Sequence, residues 1–138
     1  MLLWPAMSLV PAARRLLVVD DEPPILFALS GYFSTHGFAV DTARDLDEAR
    51  VLLEAHRYAL VITDLRMSGT MGTEGLELIT LLRARNPEVR IVLLTGYGSP
   101  EVEQEAHRKG VDVFLEKPTP LPHIAAIAAR LLDEGGER

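Results

Sequence analysis

The feature that most restricts this chain is a set of short apolar runs, each ending abruptly at a polar residue. Tyr58-Ala59-Leu60-Val61-Ile62-Thr63 ends in Asp64, and Leu16-Leu17-Val18-Val19 ends in Asp20-Asp21-Glu22. Arg90-Ile91-Val92-Leu93-Leu94 ends in Thr95, and Val111-Asp112-Val113-Phe114-Leu115-Glu116 delivers Lys117. Nearly continuous apolar runs of this length, rich in β-branched residues, read as strands buried on both faces, the signature of a parallel sheet. Parallel neighbours need crossovers, so the intervening segments should be helices and the fold α/β.

The intervening segments fit. The first strand is expected at about Arg15 to Val19 and the first helix from Pro23 to His36, with prolines in its first turn and Gly37 as its stop. Phe38-Ala39-Val40 reads as a short second strand. The second helix spans about Leu46 to His56. Asp45 followed three residues later by Glu48 resembles a capping box at its start, and Leu46, Ala49, Leu52 and Leu53 form its apolar stripe. After the third strand comes a Gly-rich loop, Ser68-Gly69-Thr70-Met71-Gly72. The third helix, about Glu74 to Arg85, buries Leu78, Ile79 and Leu82 and stops before Asn86-Pro87. Ser99 and Pro100 open the fourth helix, which ends near Gly110. Only Val102 and Ala106 in that helix are suited to a core, so it should be among the more mobile elements. The fifth helix covers about Leu121 to Asp133.

A chain of 138 residues accommodates one domain. We assign it to residues 15–133, with residues 1–14 as a flexible N-terminal tail and residues 134–138 as a C-terminal tail. The absence of cysteine excludes disulfides, thiolate metal sites and thiol catalysis. A formal net charge of -6 argues against direct nucleic-acid binding and against an anionic membrane surface. No apolar run reaches the ~18 residues of a membrane span. The first cationic side chain, Arg14, follows the apolar start rather than preceding it, the wrong order for a signal peptide. The expected location is the cytoplasm.

In an open α/β sheet the ligand crevice lies beyond the carboxyl ends of the strands. Asp20, Asp21, Asp64, Thr95 and Lys117 would therefore converge at one edge. Three neighbouring carboxylates repel one another, and a hard divalent cation relieves that cost. Mg²⁺ takes oxygen ligands and commonly serves phosphate chemistry. Lys117 would present a positive point charge to an incoming phosphoryl group, Thr95 would offer a hydroxyl, and Asp64 could act as nucleophile and form an acyl phosphate. Taken alone, Asp20-Asp21-Glu22 equally fits acids favoured at a helix N-terminus, and a lone Lys117 fits a surface charge. The histidines His36, His56, His107 and His123 are scattered and read as structural or surface residues.

Taken in order at strand ends, the set resembles a response-regulator receiver domain over about Arg15 to Leu132. That resemblance implies a doubly wound, five-stranded parallel sheet of flavodoxin-like (βα)5 topology with strand order 2-1-3-4-5. It implies that Asp64 is the phosphoacceptor, served by a histidine kinase or phosphotransfer protein. Mg²⁺ would be bound by Asp21, Asp64 and the Arg66 main-chain carbonyl, with Asp20 helping mostly through water. Thr95 and Phe114 would be the switch pair, the Lys117-Pro118 bond would be cis, and Arg66 and Tyr97, flanking the site, would tune phosphate loss. The chain would catalyse only its own phosphorylation and dephosphorylation. It would signal through its fourth helix, fifth strand and fifth helix to a downstream protein, with a homodimer on that face as one option. The expectation is of signalling by protein contact, since no output domain follows Leu132.

Two positions depart from the family pattern. Ser68 stands where proline is usual four residues after the phosphoacceptor, and the loop to Gly75 is about three residues longer. Phe114 stands where many receivers have tyrosine. Ser68 and the longer loop motivate an alternative, a phosphorylation-independent interaction module. A Mg²⁺-dependent phosphatase or a flavodoxin-like cofactor binder fits less well. The hydrolases place a second acid two residues after the nucleophile, where this chain has Arg66, and no Gly-rich phosphate loop follows the first strand.

Overall fold

The computed structural model describes residues 14–66 and 74–136, with side chains to residue 133. The Gly-rich loop with Ser68, and all of the expected N-terminal tail but Arg14, lie outside the described residues. The elements alternate as β1 (Arg15–Val19), α1 (Pro23–Thr35), β2 (Ala39–Ala43), α2 (Leu46–Ala55), β3 (Leu60–Thr63), α3 (Glu74–Arg85), β4 (Arg90–Thr95), α4 (Pro100–Lys109), β5 (Val113–Glu116) and α5 (Leu121–Gly136). The strands form one parallel sheet in the order β2-β1-β3-β4-β5, the order that the resemblance implied.

The period-2 alternation of each strand divides the core in two. Leu17, Val19, Val61, Ile91 and Leu93 face Leu46, Ala49 and Leu53 of α2, Leu78, Ile79 and Leu82 of α3, and Ala106 of α4. Leu16, Val18, Leu60, Ile62, Val92 and Leu94 face Leu29 and Phe33 of α1 and Ile124, Ala128 and Leu131 of α5. The central strands are therefore apolar on both faces because both faces are covered. Full burial of each such side chain contributes roughly 1.5–3 kcal/mol, which fixes the strand ends that carry the polar residues.

Several boundaries differ from expectation. β2 begins one residue later than Phe38 and continues to Ala43, because its polar residues find partners. Asp41 accepts a 2.6 Å hydrogen bond from the Tyr58 hydroxyl and lies 3.6 Å from the Arg15 guanidinium. β5 begins at Val113 rather than Val111, since the Asp112 carboxylate turns back to accept from the Ile91 N–H at 2.8 Å. α5 runs to Gly136, so the C-terminal tail expected from residue 134 is helical over its first residues. Arg14, assigned to the tail, holds its guanidinium 5.8 Å from the Phe38 ring centroid.

The helix ends follow local chemistry. Asp45 caps α2 by accepting from the Glu48 N–H at 2.8 Å. Glu48 reaches back one residue further than a capping box requires, to the Arg44 N–H at 2.8 Å, and also pairs with the Arg44 guanidinium. Ser99 caps α4 through the Val102 N–H, and Gly110 ends that helix at φ +112°, a conformation suited to glycine. Of the two residues expected in the core, Ala106 is the one fully buried side chain of α4, and Val102 packs partly buried against the same cluster.

Candidate functional site

Each strand end delivers its polar side chain to the carboxyl edge through backbone pairing. The Asp20 N–H donates to Ala43 O at 3.0 Å, the Asp64 N–H to Val19 O at 2.9 Å, and the Lys117 N–H to Thr95 O at 2.9 Å. The Lys117-Pro118 peptide is cis. Asp20 and Asp64 are both 2% exposed, so the sheet buries two carboxylates side by side. Asp20 accepts from the Glu22 N–H at 2.9 Å through Oδ1, and Asp64 accepts from the Leu65 N–H at 2.6 Å through Oδ1.

Lys117 compensates the buried charge. Its Nζ lies 2.8 Å from Asp64 Oδ2, 2.9 Å from Asp20 Oδ2 and 2.6 Å from Glu22 Oε2. Burial alone would lower the lysine pKa, but the hydrogen bonds it donates to Asp64, Glu22 and Asp20 outweigh that and raise it above the ordinary value. Lys117 is thus an ammonium throughout the neutral range. Burial pushes the Asp20 carboxyl above its ordinary value, against the opposing pull of Lys117 and the Glu22 N–H.

The donor set suits a hard cation. One carboxylate oxygen from each of Asp20, Asp21, Glu22 and Asp64 can be chosen so that all lie within 4.8 Å of one another. Four carboxylates face one ammonium, and Asp21 and Glu22 open to solvent while Asp20 and Asp64 do not. An oxygen-only cluster with excess negative charge and a solvent side fits Mg²⁺, which keeps several waters. Arg66 follows directly on this edge, with its guanidinium 4.2 Å above the Tyr97 ring.

Thr95 is fully buried at the end of β4, and its hydroxyl oxygen accepts from the Tyr97 N–H at 3.1 Å. Phe114 is half-buried against the core on the α4 side. Its ring passes under Gly98, where a Cβ would stand 2.8 Å from the ring tip. The structure gathers Asp20, Asp21 and Asp64 into one carboxylate cluster, with Lys117 in contact with Asp20 and Asp64, and places Thr95 on the adjoining strand end, with Phe114 under the following loop. Three contacts escape a sequence reading. Glu22 contacts a lysine 95 positions away, Gly75 packs on the Asp64 main chain, and Gly98 packs on Phe114. Only the adjacency of Glu22 to the acid pair could have signalled its place.

A doubly wound sheet thus carries a buried acid pair, a third strand-end aspartate and a bridging lysine together at its carboxyl edge. Residues 16–129 match the response regulator receiver domain, and the chain belongs to that family. It is 34% identical over 121 residues to the nitrogen assimilation regulatory protein NtrX of Azorhizobium caulinodans, covering 88% of this chain and 26% of that protein. It is 36% identical over 107 residues to the photosynthetic apparatus regulatory protein RegA of Cereibacter sphaeroides, covering 78% of this chain and 56% of that protein. The chain thus spans from about a quarter to just over half of these relatives. A Burkholderia pseudomallei response regulator crystallised with a phosphorylated aspartic acid, calcium ion and citrate superposes with a TM-score of 0.76 at 31% identity, covering 90% of this chain and 69% of that one. Among the described residues no helix is long and apolar enough to cross a membrane.

Proposed function

We propose that this receiver domain accepts a phosphoryl group on Asp64 from a histidine kinase or phosphotransfer protein. The observation that carries this reading is the Lys117 ammonium held between Asp64 and Asp20 at 2.8 and 2.9 Å. Phosphoryl transfer asks mainly for positioning and charge neutralisation. Asp64 is held rigidly at a strand end, with one oxygen fixed by the Leu65 N–H. Lys117 offers the positive charge that a phosphoryl oxygen needs, and Thr95 offers a hydroxyl. Asp21, Asp64 and the Arg66 main-chain carbonyl would hold Mg²⁺, with Asp20 assisting mostly through water. When bound, Mg²⁺ supplies the charge neutralisation that lets an anionic donor approach this acidic pocket. The phosphorylated aspartic acid and cation of the Burkholderia structure support the assignment.

Phosphate on Asp64 would draw Thr95 inward and leave room for Phe114, altering α4, β5 and α5, the face that a downstream protein or a second copy would read. The domain works in the cytoplasm and catalyses nothing beyond its own phosphorylation and dephosphorylation. Intact mass after incubation with acetyl phosphate and Mg²⁺ tests the reading. The expected result is one added phosphoryl group, lost with EDTA and absent in Asp64→Asn. Uptake by Asp64→Asn at the wild-type level would overturn it.

A further inference from the structure

We infer that Glu22 is a placeholder on Lys117, occupying in the resting protein the N–H that an incoming phosphoryl oxygen requires. The inference rests on Asp64 being the phosphoacceptor. An ammonium has three N–H donors and no more. Lys117 meets three carboxylates at 2.6, 2.8 and 2.9 Å, so all its donors are engaged before any phosphoryl group arrives.

In the transfer, an Asp64 carboxylate oxygen forms the new P–O bond while the bond to the leaving acetate breaks. Acetate departs with the electron pair, and no proton is needed. A phosphoryl oxygen that is to meet Lys117 finds all three donors taken, so one Lys117 partner must yield. Asp20 and Asp64 are 2% exposed, so each meets Lys117 from a buried position where little water can replace it. The Glu22 side chain is 54% exposed, and its carboxylate passes into water at little cost. Glu22 therefore yields, and while it is bound it slows uptake.

Glu22 is also separable from the fold. It stands at the N-cap of α1, yet its side chain makes no capping hydrogen bond. Removing it takes away the Lys117 contact and one charge. Glu22→Asp retains the charge and shortens the reach by a methylene, so it separates contact from charge.

The test compares wild type, Glu22→Asp and Glu22→Ala in two measurements. The Lys117 ammonium resonance in ¹H–¹⁵N spectra of the resting protein reads the contact directly, whether or not phosphate is taken up. The rate of phosphoryl gain from acetyl phosphate with Mg²⁺ reads its consequence. Both variants are expected to shift the resonance and to accelerate uptake about two- to five-fold, the range a half-exposed ion pair can supply. An unmoved resonance overturns the inference. So does acceleration in Glu22→Ala alone, which would reduce the effect to charge. Wild type that gains no phosphoryl group while the resonance shifts in the variants would instead overturn the assignment of Asp64, and the placeholder role with it.

Discussion

A methyl group at Gly75 would lie 2.4 Å from the Asp64 main-chain carbonyl oxygen and 2.6 Å from Leu65 Cα. The first turn of α3 is thus laid directly on the backbone that carries the candidate nucleophile, and the Gly75 N–H donates to Leu65 O at 2.9 Å. Neither side can yield cheaply, because Asp64 is also paired to Val19 O. Gly75→Ala should therefore cost about 1–3 kcal/mol, the usual penalty of overpacking, and should slow phosphoryl uptake by displacing Asp64. Thermal unfolding and intact mass, measured on the same sample, check both halves. Full stability with unchanged uptake would show that α3 shifts freely away from the site.

Gly98 and Phe114 make a second close approach, since a Cβ added at Gly98 would meet two ring atoms at 2.8 and 2.9 Å. The ring is half-buried, so it can turn aside where a backbone could not. Gly98→Ala should move Phe114 out of its resting position without unfolding the domain. A ¹³C-labelled phenylalanine spectrum should show the Phe114 ring signals displaced in the unphosphorylated variant. Unchanged ring signals would mean that the Gly96–Gly98 loop lifts instead.

These contacts mark the limit of what the chain discloses by itself. The strand ends were legible because burial on both faces of a parallel sheet demands unbroken apolar runs, and a run that stops at an acid exposes its own boundary. The weak anchoring of α4 was legible for the same reason, from the two apolar residues on its body. β2 was cut short because Asp41 looks like a terminator until Tyr58, from 17 positions away, supplies its hydrogen bond. Glu48 was expected to close a capping box on Asp45, and the Arg44 backbone and guanidinium together drew it one residue further. Glu22, Gly75 and Gly98 act through tertiary neighbours that no local pattern specifies.

Arg83 ties the base of α4 to the rest of the molecule. Its guanidinium donates to Gly110 O at 2.7 and 3.0 Å, to Pro87 O at 2.9 Å and to Asp112 Oδ2 at 3.0 Å. Asp112 in turn receives the Arg90 guanidinium and the Ile91 N–H. The N-terminal half of α4 has no comparable tether among the described residues, so the helix is held at its Gly110 end. Arg83→Met should cost about 2 kcal/mol, in the range for hydrogen bonds made by a charged group, and should raise amide exchange across residues 106–112. Exchange confined to the first turn of α4 would count against this anchor.

Asp20 sets stability against cation binding. Burial holds its carboxyl above the ordinary value, so the fold binds that proton more tightly than the unfolded chain does. Its contribution to stability is fully present below the unfolded carboxyl value, about 3.9, and is lost as pH rises through the higher folded value. Asp20→Asn removes this pH-dependent loss and leaves Lys117 paired with Asp64 and Glu22. Without divalent cation, the variant should therefore be more stable than wild type at pH 7, and the gain should shrink toward pH 4. Saturating Mg²⁺ should narrow or reverse the difference, since a ligand that binds only the native state stabilises the chain that binds it better. Urea midpoints at pH 4 and pH 7, with and without Mg²⁺, decide the matter. A variant less stable than wild type at pH 7 in the absence of Mg²⁺ would show that the Lys117–Asp20 pair outweighs the cost of burying the carboxylate.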